Sequence, residues 1–160
     1  MSISSSFVGR RYRLAYPYEV SQAKITEFSR ALGCLPGEEN EPNPIAPPTM
    51  AAVIAAQAWE LFFADAEADI ALSRTIHGDQ RFEFNAPLQA GDRILAVLEV
   101  EAVRARTAME IITVRVDLHR LPAGVAGTAA PDDAVDPPGA IVARSWSTLV
   151  HRRPSTEEAA

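Results

Sequence analysis

The sequence is poor in cysteine: Cys34 is the single one among 160 residues. No disulfide can form within the chain, and no cysteine-built metal cluster either. A lone thiol after Gly33, with no positioned base beside it, reads as a passive loop or core residue rather than a nucleophile. Positive charge is also short, with 15 Lys and Arg against 21 Asp and Glu and a formal net charge of −6. That balance argues against a nucleic-acid protein, because neutralising phosphates takes clustered cations. Long hydrophobic runs are missing. The most apolar stretch, Met50 to Ala64, is interrupted by Gln57 and Glu60 and is too short to cross a bilayer. Met1 to Phe7 is Ser-rich and lacks the basic-then-apolar pattern of a signal peptide. The expectation is a cytoplasmic protein. Neither a glycine-rich phosphate loop nor a His/Asp/Glu set with metal spacing is present, so no metal and no cofactor are expected.

What remains is ordinary globular material, 48% apolar and 22% charged, enough for one domain over residues 1–153 with a disordered tail over 154–160. Arg10 to Val20 reads as an extended segment bent at Pro17. Ser21 is placed to cap a helix through Leu32, with Ile25, Phe28 and Leu32 on one face and Gly33 as its stop. Six prolines and glycines between Cys34 and Pro48 make that stretch a loop. Thr49 is expected to cap the next helix, Met50 to Phe63, which has apolar residues on nearly every face. Such a helix has to be surrounded.

The strands that could surround it follow. Gln80 to Asn85, Arg93 to Arg104, Met109 to Arg120 and Ile141 to His151 each read as extended. In the third, Ile112, Val114, Val116 and Leu118 alternate with Thr113, Arg115, Asp117 and His119, the mark of a half-buried strand. Leu121 to Gly139, rich in Pro, Gly, Ala and Asp, is expected to be a mobile surface loop. One long buried helix followed by an antiparallel sheet that curls around it is an α+β hot-dog domain.

Several phrases, taken in order, resemble the MaoC-like hydratase/dehydratase family. They are Val8-Gly-Arg, Tyr18-Glu-Val, Ile25-Thr-Glu-Phe-Ser-Arg-Ala-Leu-Gly33, Ala46-Pro-Pro-Thr49, His77-Gly-Asp-Gln-Arg-Phe82 and Pro87-Leu-Gln-Ala-Gly-Asp92. The likeness is strongest to the family's amino-terminal dehydratase domain and to actinobacterial (3R)-hydroxyacyl-carrier-protein dehydratase subunits. The resemblance implies a hot-dog fold, pairing of two hot-dog units as a homo- or heterodimer, and reversible hydration of a trans-2-enoyl thioester of CoA or of an acyl carrier protein. Syn-elimination of water requires a base for the alpha proton, an acid for the leaving hydroxyl and a donor on the thioester oxygen. In catalytic members an Asp and a His five residues apart do this, in a motif resembling Asp-x-Asn-Pro-x-His. The corresponding stretch here is Glu41-Pro-Asn-Pro-Ile-Ala46, which keeps Asn43 and Pro44 but puts Glu and Ala where the Asp and His would stand.

The remaining proton-transfer candidates are His77, Asp79 and Glu41. His77 and Asp79, two apart on a strand, are expected on one face. Pro48, Thr49, Met50, Gly78 and Gln80 are the candidate substrate-binding residues. Backbone N–H groups at the helix start could polarise a thioester carbonyl, although Thr49 could equally serve as a cap alone. Gly78 could permit close approach of chain or ligand. Gln80 could touch an acyl or pantetheine group or hold the backbone. Trp59, Phe62 and Phe63 could line an acyl pocket or pack the core, and His119 and His151 are expected at the surface. The expected function is an acyl-binding dehydratase subunit that lacks the Asp/His dyad and needs a catalytic partner. The alternatives are a non-catalytic acyl-thioester-binding protein and a thioesterase using Glu41 or Asp79.

Overall fold

The computed structural model describes residues 3–34, 43–125 and 137–153. Ser21 caps α1 (Gln22–Ala31) as expected, its hydroxyl accepting the Lys24 N–H at 3.1 Å, and Gly33 leaves the helix at φ +72°. The long helix α2 spans Met50–Ala64. Six strands, β1 (Arg11–Arg13), β2 (Tyr18–Glu19), β3 (Thr75–Phe84), β4 (Arg93–Ala105), β5 (Met109–Arg120) and β6 (Ala140–Arg152), form one antiparallel sheet. Its order is β1-β4-β5-β6-β3, with β2 also on β4. The sheet curls around α2, so the expected hot-dog arrangement is what the chain adopts.

The curl has a local cause. Each of the three long pairings carries one irregularity, between Val100 and Ala102 on β4, at Leu118/His119 against β6, and between His77 and Asp79 on β3. An extra residue on one strand bends it and increases its twist. Three such steps turn a flat ribbon into a trough.

Met50, Ile54, Ala58 and Phe62 recur every fourth residue, and with Ala51 and Ala55 they form the buried stripe of α2. They lie against Ile94, Ala96, Leu98, Val100, Ile112, Val114, Val116 and Leu118 from β4 and β5. Tyr12 on β1 meets Phe62 edge-on at 5.5 Å between ring centroids. The opposite side of α2 is less covered than the sequence implies: Val53, Gln57, Trp59 and Phe63 are half-buried, and Glu60 and Leu61 are exposed. The described residues therefore do not surround the central helix.

Two further expectations are corrected. Thr49 does not cap α2 with its side chain; it is already helical at φ −68°, ψ −13°. The first turn closes instead through short-range backbone bonds, Met50 N–H to Pro47 O at 2.9 Å and Ala52 N–H to Thr49 O at 3.0 Å. The Leu121–Gly139 stretch is also not wholly a surface excursion. Leu121 and Pro137 are buried, and the Arg93 guanidinium donates to Val125 O at 2.6 Å. Residues 126–136 and the 154–160 tail lie outside the described residues.

Candidate functional site

Among the described residues β3 is the outermost strand on its side of the sheet, hydrogen-bonded only to β6, and most of its residues are exposed. It begins at Thr75, five residues earlier than the sequence reading placed it. His77 and Gly78 therefore sit inside the strand, and Gly78 is the extra residue of the bulge. His77 faces Leu149 while Asp79 faces Thr148. Because consecutive residues on β6 point to opposite sides, His77 and Asp79 do too. The expected His/Asp pairing on one face is overturned by that single inserted residue.

His77 turns toward α2 and meets the Trp59 ring edge-on at 5.1 Å. Asp79 points to the outer side, where charges pair among themselves. There Arg115 reaches Glu99 at 2.9 Å, Glu101 at 2.8 Å and Asp117 at 3.1 Å, and Arg81 lies 3.8 Å over the Trp146 ring. Gly78 has no left-handed φ, and a Cβ added there would meet Thr148 O at 3.5 Å and Val150 Cγ2 at 3.7 Å, ordinary contacts. The chain itself does not require glycine at this position. Gln80 is a structural amide: its nitrogen donates to Ser145 Oγ at 2.7 Å and Trp146 O at 2.9 Å, and its oxygen accepts from Ser147 Oγ at 2.9 Å. Met50 is a core residue, and Phe62 is likewise buried while Trp59 and Phe63 pack partly against the core. Glu41 lies outside the described residues.

The motif-bearing loop divides between two depressions. Asn43 joins Glu19, Ser21 and Arg93 around a wide polar one. Beyond it, Ile45, Pro47 and Pro48 face Phe84, Pro87 and Leu88 across an apolar cleft of about 300 Å³. Its wall is fixed by two backbone contacts: a bridge between Ile45 and Gln89, and the Ala46 N–H donated to Leu88 O at 2.8 Å. Ala46, at the position where the motif has histidine, is buried in that wall. None of the described lining residues can accept or donate a proton at neutral pH. His77 is too far off to supply one, because six residue steps along β6 separate its partner Leu149 from Ala143, the partner of Phe84, or roughly 20 Å of strand.

His119 and His151, expected at the surface, are both buried. His151 Nδ1 lies 3.0 Å from the Glu110 carboxylate, a pairing the sequence reading missed. One signal for it was present: Glu110 continues the inward series Ile112, Val114, Val116, Leu118 by one more step of two. Among the described residues no group of three or more His, Cys, Asp or Glu could hold a metal ion, and no helix is long and apolar enough to cross a membrane.

The comparisons fit this geometry. Residues 6–120 match the family described as FAS1-like, dehydratase domain region. A UPF0336 protein of Cutibacterium acnes is 40% identical over 154 residues, covering 96% of this chain and 97% of that protein. One from Streptomyces coelicolor is 31% identical over 168 residues, covering 99% and 100%. In fold, the chain is similar to a chain of the HadBC (3R-hydroxyacyl-ACP dehydratase) complex from Mycobacterium tuberculosis. The TM-score is 0.69 and the identity 22%, over 90% of this chain and 96% of that one. A MaoC-like dehydratase gives 0.68 at 20% identity, over 92% of this chain and 42% of that one. Helix, curled sheet and matched region together make this chain a member of the FAS1-like dehydratase-region family and a hot-dog relative of the MaoC-like hydratases and dehydratases.

Proposed function

We propose that this chain is the acyl-binding half of a (3R)-hydroxyacyl-thioester dehydratase, working beside a second hot-dog subunit that brings the proton-transfer groups. The observation that carries this reading is the apolar cleft between Ile45, Pro48 and Phe84, which has room for an acyl chain and no acid or base in its described lining. Apolar walls hold an alkyl chain by excluding water and contribute nothing to breaking a C–H or C–O bond. The chemistry then falls to groups from elsewhere, in keeping with Glu41 and Ala46 standing where the motif has Asp and His.

The surface for the partner is the unpaired side of β3 together with the half-covered side of α2. A long unpaired strand carrying apolar residues is a template for another chain; here Ile76 is 69% exposed and Phe84 39%. The HadBC complex supports the two-subunit form of this reading. A thioesterase role for Asp79 is not favoured, because it lies on the outer side of the sheet.

The test follows trans-2-enoyl-CoA absorbance with the purified chain alone, and then with a second hot-dog subunit that carries the Asp-x-Asn-Pro-x-His motif. We expect turnover with both chains only, and a raised KM with little change in kcat when Phe84→Ala opens the cleft. Efficient turnover by the chain alone that His77→Ala abolishes would overturn the reading. Binding of the thioester without turnover in either arm would reduce the function to acyl-thioester binding.

A further inference from the structure

Glu110 and His151 are the two most deeply buried titratable residues of the inner sheet face, with relative exposures of 0% and 1%. They stand directly opposite each other on β5 and β6. The His151 ring is held at both nitrogens. Nδ1 lies 3.0 Å from Glu110 Oε2, and Nε2 lies 3.3 Å from the backbone N of Ala71. A backbone amide can only donate, so Nε2 must carry the lone pair and Nδ1 the proton that it gives to Glu110. The other carboxylate oxygen of Glu110 accepts from Arg153 Nε at 2.6 Å.

Ala71 belongs to the segment that runs from the end of α2 into β3. That segment is pinned there a second time, because Thr75 Oγ1 donates to Ala71 O at 2.8 Å. Thr75 is in turn the strand partner of His151. Ala68 and Ile70 are the segment's only other buried anchors among the described residues. The charged groups on the elements packed around the ring are Glu110 on β5, Arg152 and Arg153 at the end of β6, Arg74 in the turn before β3, and Asp69 in the segment itself. Of these, Glu110 touches the ring directly and Arg153 touches Glu110.

We propose that this network is a proton-operated latch on the β3 edge. With His151 neutral, Nε2 holds Ala71 and the beginning of β3 is docked on the sheet. Once the ring takes a second proton, both nitrogens are donors and the Ala71 N–H faces another N–H with no acceptor. An amide left unsatisfied in this partly buried position is costly, so the segment from Asp69 to His77 opens locally while β4, β5 and the rest of β6 stay paired. The latch is shut while the ring is neutral and is released when the ring gains its second proton, so the direction of release is toward acid. The latch is a property of this chain alone. Its effect on a docked subunit rests on β3 being the docking edge, as proposed above.

The test is amide hydrogen exchange of residues 69–77, corrected for the intrinsic pH dependence of exchange, on the full chain from pH 8 to pH 5. We expect protection there to fall about tenfold on acidification, the equivalent of one lost hydrogen bond, with Val114–Leu118 unchanged. His151→Gln keeps an acceptor for Ala71 and a donor for Glu110, so its protection should not vary with pH. His77→Asn, which removes the neighbouring exposed histidine, should behave as wild type. Equal pH dependence in wild type and His151→Gln overturns the latch, as does its loss in His77→Asn. If His151→Gln does not fold, the ring ¹⁵N spectrum of the wild type decides. An Nδ1–H tautomer at neutral pH, with protonation coincident with the onset of exchange, supports the latch. An Nε2–H tautomer, or a ring that never takes up the second proton in this range, overturns it.

Discussion

Single side chains in this molecule show how local chemistry sets its tolerances. Tyr12 and Asp65 tie β1 to the end of α2, the phenol donating to Asp65 Oδ2 at 2.7 Å. Burial and the bond to Asp65 push the Tyr12 hydroxyl above its usual range. Burial by itself would raise the Asp65 carboxyl, but the bonds from Tyr12 and the Glu67 N–H, with Arg10 nearby, bring it below its ordinary value. A lowered carboxyl stabilises the fold fully above the unfolded range near about pH 4. That contribution drains away as pH falls through the lower folded value. Tyr12→Phe should therefore cost about 1.5–3 kcal/mol at pH 7, the size of a hydrogen bond to a charged group. Urea titrations of both proteins should show the gap narrowing as the pH drops below 4. Gly78 within β3 and Gly139 just before β6 should differ sharply. Gly78→Ala should change stability by less than about 0.5 kcal/mol, since the new methyl meets only ordinary neighbours. Gly139→Ala should cost about 1–3 kcal/mol, because φ is +111° there and the methyl would collide with the Arg120 carbonyl. Thermal melts of the two variants would separate them.

Among the elements, the inward face of β5 could be read from alternation alone, and α1 fell where its Ser21 cap, periodicity and Gly33 stop put it, whereas α2 was placed by its apolar run without the Thr49 side-chain cap expected for it. The His77–Asp79 relation could not be read that way. A period of two holds only while the ladder is regular, and nothing in His-Gly-Asp-Gln announces that Gly78 is the extra residue. The Glu110–His151 pair was hidden differently. Glu110 lies in phase with its apolar neighbours, but matching it to His151 needs the β5–β6 register, which the intervening residues 121–139 do not set by their length. The α2 helix was legible as buried from its composition, although composition does not say by how many chains. Its two sides make separable predictions. Phe62→Ala should cost about 3–5 kcal/mol, as for a fully buried aromatic. Leu61→Ala, on the exposed side, should stay within about 0.5 kcal/mol in the isolated chain and weaken association instead, which denaturation and sedimentation would read separately.

At the scale of the whole molecule, the candidate acid–base groups among the described residues lie away from the apolar cleft. His77 is about 20 Å along the strand from Phe84, Asp79 lies behind the sheet, and His151 is committed to Glu110 and Ala71. The family likeness was carried by short phrases spread over most of the chain, and the fold bears it out; the cleft itself joins a proline loop to the far end of β3, a contact that no local phrase encodes. Ile76→Lys, on the outer side of the bare strand, should leave the melting temperature of the isolated chain nearly unchanged while removing pairing with a second subunit, as light scattering would show.

The half-covered side of α2 has a thermodynamic consequence as well. On the proposed pairing, a second subunit sheathes the side of α2 left half-covered, and some of the stabilisation of the folded state is then held between molecules. By mass action, that share depends on how many molecules are present. The melting temperature of this protein should climb with its own concentration or that of its partner, and diluting it should loosen the central helix before the sheet.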